Sequence, residues 1–222
     1  MVKRTYRHFS LIELLVVVGL MILLFGVVAP SFMKMLSLNR VDALASNLKL
    51  GLEQAQSRAV ANRRAVAVIL PYNPGNWNDD EVKRFCFGGW RHAFVAKSGD
   101  NWNFDGWVPG SAWGNQPQGA YLFEVGSSAR TAGLGASTAG FFTSLSGAAS
   151  KLLTVQNLPG IGTNVQTAVI FDKYGAVEND ELFFTIAEGN RSDNDLMTPD
   201  QNNFVVLKLS KFTGKVEYVA QD

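Results

Sequence analysis

Apolar residues dominate the chain from Phe9 to Met33, and from Leu14 to Ala29 sixteen consecutive positions carry no charge. As a helix rising ~1.5 Å per residue, the run from Phe9 to Met33 would be ~37 Å long, more than the ~30 Å hydrocarbon layer of a bilayer. Beyond Pro30 the pattern changes but keeps its helical period. Val41, Leu44, Leu48, Leu52, Ala55 and Ala59 recur at spacings of three and four, and Arg40, Asp42, Asn47, Lys49, Glu53, Gln56 and Arg58 fall off that stripe. Such a pattern predicts an amphipathic helix with one face on a core. Gly51 costs this helix ~1 kcal/mol in propensity and is expected to permit close contact with a sheet.

From Arg64 the apolar residues come in short segments: "RAVAVIL", "RHAFVAK", "AYLFEV", "TAVIFD", "ELFFTIAE", "NFVVLKLS" and "KVEYVAQ". Clusters of Gly, Asn and Pro separate them, which predicts strands joined by turns. In "NFVVLKLS", Val205, Leu207 and Leu209 are expected on one face. The predicted fold class is therefore α+β: a long N-terminal helix, with a membrane half and an amphipathic half, packed on a mainly antiparallel β-sheet head. The boundaries expected are residues 1–8 as a basic leader, 9–30 as a transmembrane helix, 31–62 as its amphipathic continuation and 63–222 as the β-rich head.

Long loops are expected near 72–84, 98–119 and 126–150. Loops of that length are uncommon in compact domains and tend to be functional or mobile. Four of the five tryptophans, Trp77, Trp102, Trp107 and Trp113, fall in the first two. Exposed, they would suit contact with a protein or glycan; folded back, they would serve as lids over the sheet.

Charge and rare residues narrow the chemistry. The formal net charge is +1, with Lys3, Arg4 and Arg7 inside the first eight residues; without those three, 17 basic residues face 19 acidic ones, a net of −2. That balance does not describe a DNA-binding protein. Cys86 is the only cysteine, so no intrachain disulfide forms, and its place between Phe85 and Phe87 reads as a small buried hydrophobe. Of two histidines, His8 lies in the leader and His92 in a strand beside Arg91. No nucleophile motif, phosphate loop or zinc ligand set occurs, so neither an enzyme nor a cofactor is expected.

Two weaker constellations remain. Asn101, Asn103, Asp105 and Gly106 imitate the opening of a calcium loop without its closing Glu, and Asp193 and Asp195 are similarly ambiguous. Lys208, Lys211 and Lys215 would make at most a weak phosphate patch.

Glu13 is the anomaly. A carboxylate deep in a membrane span costs roughly 2.5–3.5 kcal/mol on insertion scales. A secretory signal peptide would end at a small-x-small site, whereas "SFMKMLSLNRVDALASNLKL" stays apolar and helical after Pro30. A simple anchor fits the basic flank but leaves Glu13 unexplained. The stretch Phe9-Ser10-Leu11-Ile12-Glu13-Leu14 resembles the N-terminal motif of type IV prepilins and type II secretion pseudopilins.

That resemblance implies several roles. A prepilin peptidase would cut between His8 and Phe9 and methylate the new amine of Phe9. Glu13, then the fifth mature residue, would attract the N-terminal amine of a neighbouring subunit and set the register of assembly. Pro30 would sit where many pilins carry a helix-kinking proline. The chain departs from the family at His8, where Gly is nearly always found. "NLKLGLEQAQSRAVANRRAVAVIL", "VIFDKYGAV" and "LSKFTGKVEYV" are further similar to the minor pseudopilin group labelled GspH/FimT, with Gly175 and Gly214 at turns.

The resemblance implies a pilin-like fold and a minor pilin or pseudopilin subunit of a type II secretion or type IV pilus filament. Its partners would be the peptidase, other pilin or pseudopilin subunits, the inner-membrane assembly platform and inner-membrane lipid. The leader would be cytoplasmic and the head periplasmic or extracellular. The alternatives are a DNA-binding minor pilin, for which nucleic acid is a disfavoured partner, and a membrane-anchored β-domain that does not assemble.

Overall fold

The computed structural model describes residues 11–72, 85–114, 119–130, 151–160, 164–192, 195–197 and 203–219. Its one described helix, α1, spans Leu11–Asn62. The chain divides into two compact units, Met1–Ser37 and Leu38–Asp222. Residues 11–37 of α1 belong to the first, and the large apolar side chains from Leu11 to Phe25 are 47–82% exposed.

In the second unit the apolar stripe lies where its spacing requires. Val41, Leu44, Leu48, Leu52, Ala55 and Ala59 are all at most 2% exposed, joined by Ala45. They pack on a β head built from β1 (Val66–Leu70), β2 (Arg91–Ser98), β3 (Asn101–Trp107), β4 (Ala120–Gly126), β5 (Leu153–Gln156) and β6 (Gln166–Phe171). The head continues through β7 (Leu182–Glu188), β8 (Asn190–Ser192), β9 (Asp195–Met197), β10 (Phe204–Leu209) and β11 (Val216–Val219). The fold is α+β, and the pairings are antiparallel except β3 with β5.

Strands β1-β2-β3-β5-β6 close into a barrel, β11-β10-β7-β4 form a four-stranded sheet, and β8-β9 form a hairpin. Strand β1 is central: it pairs with β2 on one side and β6 on the other, so "VAVIL" is buried on both faces. Val66, Val68 and Leu70 join the core under α1, whereas Ala67 and Ile69 point into the barrel beside Val155 and Ile170. Alternation along an extended strand produces this split. In β10, Leu207 and Leu209 are buried as their shared face predicts, Val205 is half-buried, and Val206 on the opposite face is buried as well.

All seven expected segments contain strands. Four strands lie outside them, and β3 falls within the stretch expected as a loop near 98–119. Asn, Asp and Gly are poor strand formers, so "NWNFDGW" carries little β signal of its own. What holds it extended is Trp102, 7% exposed in the barrel core. Phe94 pairs with Gly106 and Val95 with Phe104, which leaves Asp105 as the extra residue of a β-bulge. Asp105 forms an ion pair with Arg64.

Trp107 and Trp113, together with Phe104, pack against the barrel cluster. Phe85 stacks on Trp113 at 5.3 Å, and Trp107 meets Trp113 edge-on at 5.7 Å. Trp77 lies outside the described residues, as do most of the stretches 72–84 and 126–150. Cys86 is fully buried, as its phenylalanine neighbours suggested.

Candidate functional site

Glu13 occupies the first turn of α1, amid exposed Leu11, Ile12, Leu14 and Leu15. His8 and Phe9 lie outside the described residues, as does the side chain of Pro30. Among the described residues no helix is long and apolar enough to cross a membrane.

The second unit holds a different constellation, around His92. This imidazole is buried between β2 and α1. Its Nε2 donates to the Gly51 carbonyl at 2.9 Å, and its Nδ1 accepts from Arg58 Nη1 at 3.2 Å. A guanidinium has only donors, so Nδ1 is unprotonated and the ring is neutral. Burial, reinforced by the Arg58 charge and opposed by the Gly51 carbonyl, lowers the His92 pKa to about 4. His92 therefore acts as a structural linker that fixes Arg58.

Arg91, next in sequence, is held by other means. Its Nε donates to the Ser111 carbonyl at 3.2 Å, and its guanidinium lies 4.0 Å from the Trp107 ring centroid. Burial lowers its pKa, but an arginine keeps its charge at any ordinary pH. Arg58 and Arg91 both line a groove of about 260 Å³ between α1 and the segments around Trp90 and Ser111. Among the described residues no carboxylate lines it.

Two glycines shape this groove. A Cβ on Gly51 would come within 2.3 Å of Trp90 Nε1, and one on Gly114 within 2.8 Å of Trp90 Cε2. The Trp90 indole is thus wedged between the helix and the 111–114 segment. The close approach expected at Gly51 is real, but its partner is the indole and not the backbone of the sheet. Sequence reasoning did not anticipate the groove, because its residues come from distant parts of the chain. The available signal was that Asn47, Gly51, Gln54 and Arg58 each immediately precede a core residue of α1.

The other candidate constellations are accounted for within the fold. Lys208 pairs with Glu181 at 3.0 Å, Lys211 with Asp180 at 2.8 Å and Lys215 with Glu217 at 2.5 Å. Those carboxylates neutralise the cluster a phosphate backbone would need. Asn101 and Asn103 lie extended on β3, where they accept from Gln156 at 3.2 Å and Asn157 at 3.1 Å, instead of wrapping round an ion. Asp193 lies outside the described residues, as does the Asp195 side chain. Gly175 (φ 88) and Gly214 (φ 62) do sit at turns, in the left-handed region that favours glycine.

No protein-family model matches the chain, and no curated protein matches it. Among solved structures it is similar to the crystal structure of the type IV minor pilin FimU of Pseudomonas aeruginosa (strain PAO1). The identity is 15% and the TM-score 0.42, over 82% of this chain and 90% of that one.

Proposed function

We propose that the chain is a non-enzymatic minor pilin or pseudopilin subunit that inserts in the inner membrane and assembles through its N-terminal helix. One observation carries this reading. The stretch from Leu11 to Phe25 exposes large apolar side chains on every side of a helix and places one carboxylate, Glu13, among them. A helix apolar all round requires an apolar environment, either lipid or other helices. Within it an ionised side chain is tolerable where a positive group meets it. The prepilin-like motif supplies that group as the freed amine of Phe9 on a neighbouring copy.

In this reading the peptidase removes residues 1–8 on the cytoplasmic side. The assembly platform then extracts the subunit from lipid, and the second unit stands on the periplasmic side. Whether the filament belongs to a secretion system or a pilus is decided by partners that the motif does not distinguish. The lysine pairing described above gives the DNA-binding alternative no support.

Two measurements test the proposal together. In cells carrying a prepilin peptidase, intact mass should show loss of Met1 to His8 and one methyl group on Phe9. Glu13→Ala should still fractionate with the membrane but fail to co-assemble with partner subunits. Retention of the first eight residues combined with normal assembly of Glu13→Ala would overturn it.

A further inference from the structure

The groove beside α1 has a composition that a merely structural crevice does not need. Two guanidiniums enter it, and among the described residues neither has a carboxylate partner. Among the described residues each makes one side-chain hydrogen bond, Arg58 to His92 and Arg91 to the Ser111 carbonyl, so the other N–H groups of each fork have no hydrogen-bond partner there. Both are pre-organised: His92 is itself tied to Gly51, and Arg91 is stacked on Trp107. A pair of fixed guanidiniums matches planar carboxylates, which they bind through paired, charge-assisted hydrogen bonds.

The remaining lining residues define the ligand further. Asn47, Leu50, Gly51, Gln54 and Arg58 lie along one edge of α1, a span of ~16 Å at ~1.5 Å per residue. An extended peptide rising ~3.3 Å per residue would cover that span with about five residues. Asn47 and Gln54 each offer a donor and an acceptor, which complements the N–H and C=O of a peptide backbone. A phosphate offers acceptors only and would leave the amide oxygens idle. Leu50 is 52% exposed at the groove and gives an apolar side chain a place to rest.

We propose that this groove is a docking site for a short, extended acidic segment of a partner protein, with its carboxylates on Arg58 and Arg91 and an apolar side chain over Leu50. The site goes beyond the filament reading and does not depend on it, since the groove lies wholly in the second unit and can be tested in the isolated full-length chain. Nucleic acid would require a longer run of unpaired cations than two arginines provide.

The test uses the full chain in detergent micelles and a blocked peptide, acetyl-Glu-Ser-Leu-Ser-Glu-amide, whose two carboxylates and Leu share one face when extended, with tryptophan fluorescence and calorimetry as readouts. The control is acetyl-Gln-Ser-Leu-Ser-Gln-amide. The acidic peptide should bind, and added salt should weaken it. The control should bind roughly tenfold less tightly or worse, as expected for losing charge-assisted hydrogen bonds. Arg58→Gln should weaken the acidic peptide by roughly tenfold for the same reason.

Because Arg58 also braces His92, a second variant is needed. Gln54→Glu changes an exposed residue and places a competing carboxylate in the groove; it should weaken the peptide while leaving the circular dichroism and melting temperature unchanged. Equal binding of both peptides, no binding of the acidic one, or indifference to both variants would overturn the proposal. So would a thymidine oligonucleotide or inorganic phosphate displacing the peptide completely at equal concentration. None of these outcomes bears on cleavage at Phe9 or on assembly through Glu13, so the two readings fail separately.

Discussion

The buried histidine makes the stability of the second unit depend on pH in a defined direction. His92 has a pKa near 4 in the folded chain, lowered by burial and by Arg58. In the unfolded chain the same imidazole would titrate near the ordinary value of ~6.5. Between these values the unfolded chain holds a proton that the folded chain does not, so acid favours unfolding. The contribution is fully present above pH ~6.5, falls as pH drops toward ~4, and changes no further below that. From pH 8 to pH 5 the loss is ~2 kcal/mol, and the full shift of the pair of values is worth ~3 kcal/mol.

The assay is urea unfolding of the full chain in micelles, followed by tryptophan fluorescence, at pH 8, 6.5 and 5. Carboxylates add their own pH dependence, so the informative quantity is the difference between wild type and His92→Gln. Glutamine keeps a donor for the Gly51 carbonyl but does not titrate. Wild type should lose ~2 kcal/mol more than the variant between pH 8 and pH 5. Parallel curves for the two proteins would refute the reasoning. So would a His92 C2-proton resonance that titrates near pH 6.5 in the folded chain.

Two further predictions concern the joints that hold the turns and the barrel. Gly214→Ala should destabilise by about 2–4 kcal/mol, because the residue has φ 62 and its Cβ would fall 2.3 Å from Gln56 Nε2 and 2.6 Å from the Gly175 carbonyl oxygen. A melting temperature equal to wild type would contradict it. Asn179 is 2% exposed; its Oδ1 accepts from Ile170 N at 2.9 Å, and its Nδ2 donates to the Ala168 carbonyl at 3.2 Å. Asn179→Ala would strand a buried donor, for a loss of about 1–3 kcal/mol in urea unfolding, with hydrogen exchange at the Ile170 amide accelerated.

Periodicity disclosed what packing physics makes periodic. The stripe from Val41 to Ala59 was legible because a helix can bury only one face, and the strand segments were legible where Val, Ile, Leu and Phe alternate or cluster. Strand β3 was not, because its extended form depends on Trp102 entering a barrel formed by strands up to Phe171, and no local window contains that fact. Strand β5, "LTVQ", is too short for its alternation to stand out. The N-terminal motif was legible at the level of chemistry, since one carboxylate in a long apolar run is improbable without a partner. The groove was hidden for the opposite reason: Arg58, Arg91 and Ser111 each look like ordinary surface residues until the topology brings them to one crevice.

The register of α1 explains why its two flanks differ. Each core residue is followed about 100° round the helix by the next residue and preceded about 100° the other way. The residues just before the stripe, Asn47, Gly51, Gln54 and Arg58, therefore share one flank and meet His92 of β2 and Trp90 just before it. The residues just after it, Lys49, Glu53, Gln56 and Val60, share the other. There Lys49 lies 5.4 Å from the Tyr218 ring centroid, and the Gln56 amide ties Gly175 at 2.8 Å to Thr213 at 2.7 Å. One flank is therefore closed by backbone turns that consume its polar group, while the other is propped open by an indole between two glycines. A Cβ at Gly51 would meet Trp90 Nε1 at 2.3 Å and force the indole to shift, disturbing the second flank without touching the first. The glycine that costs α1 about 1 kcal/mol in propensity is thus what lets the Trp90 indole pack against the helix at the groove.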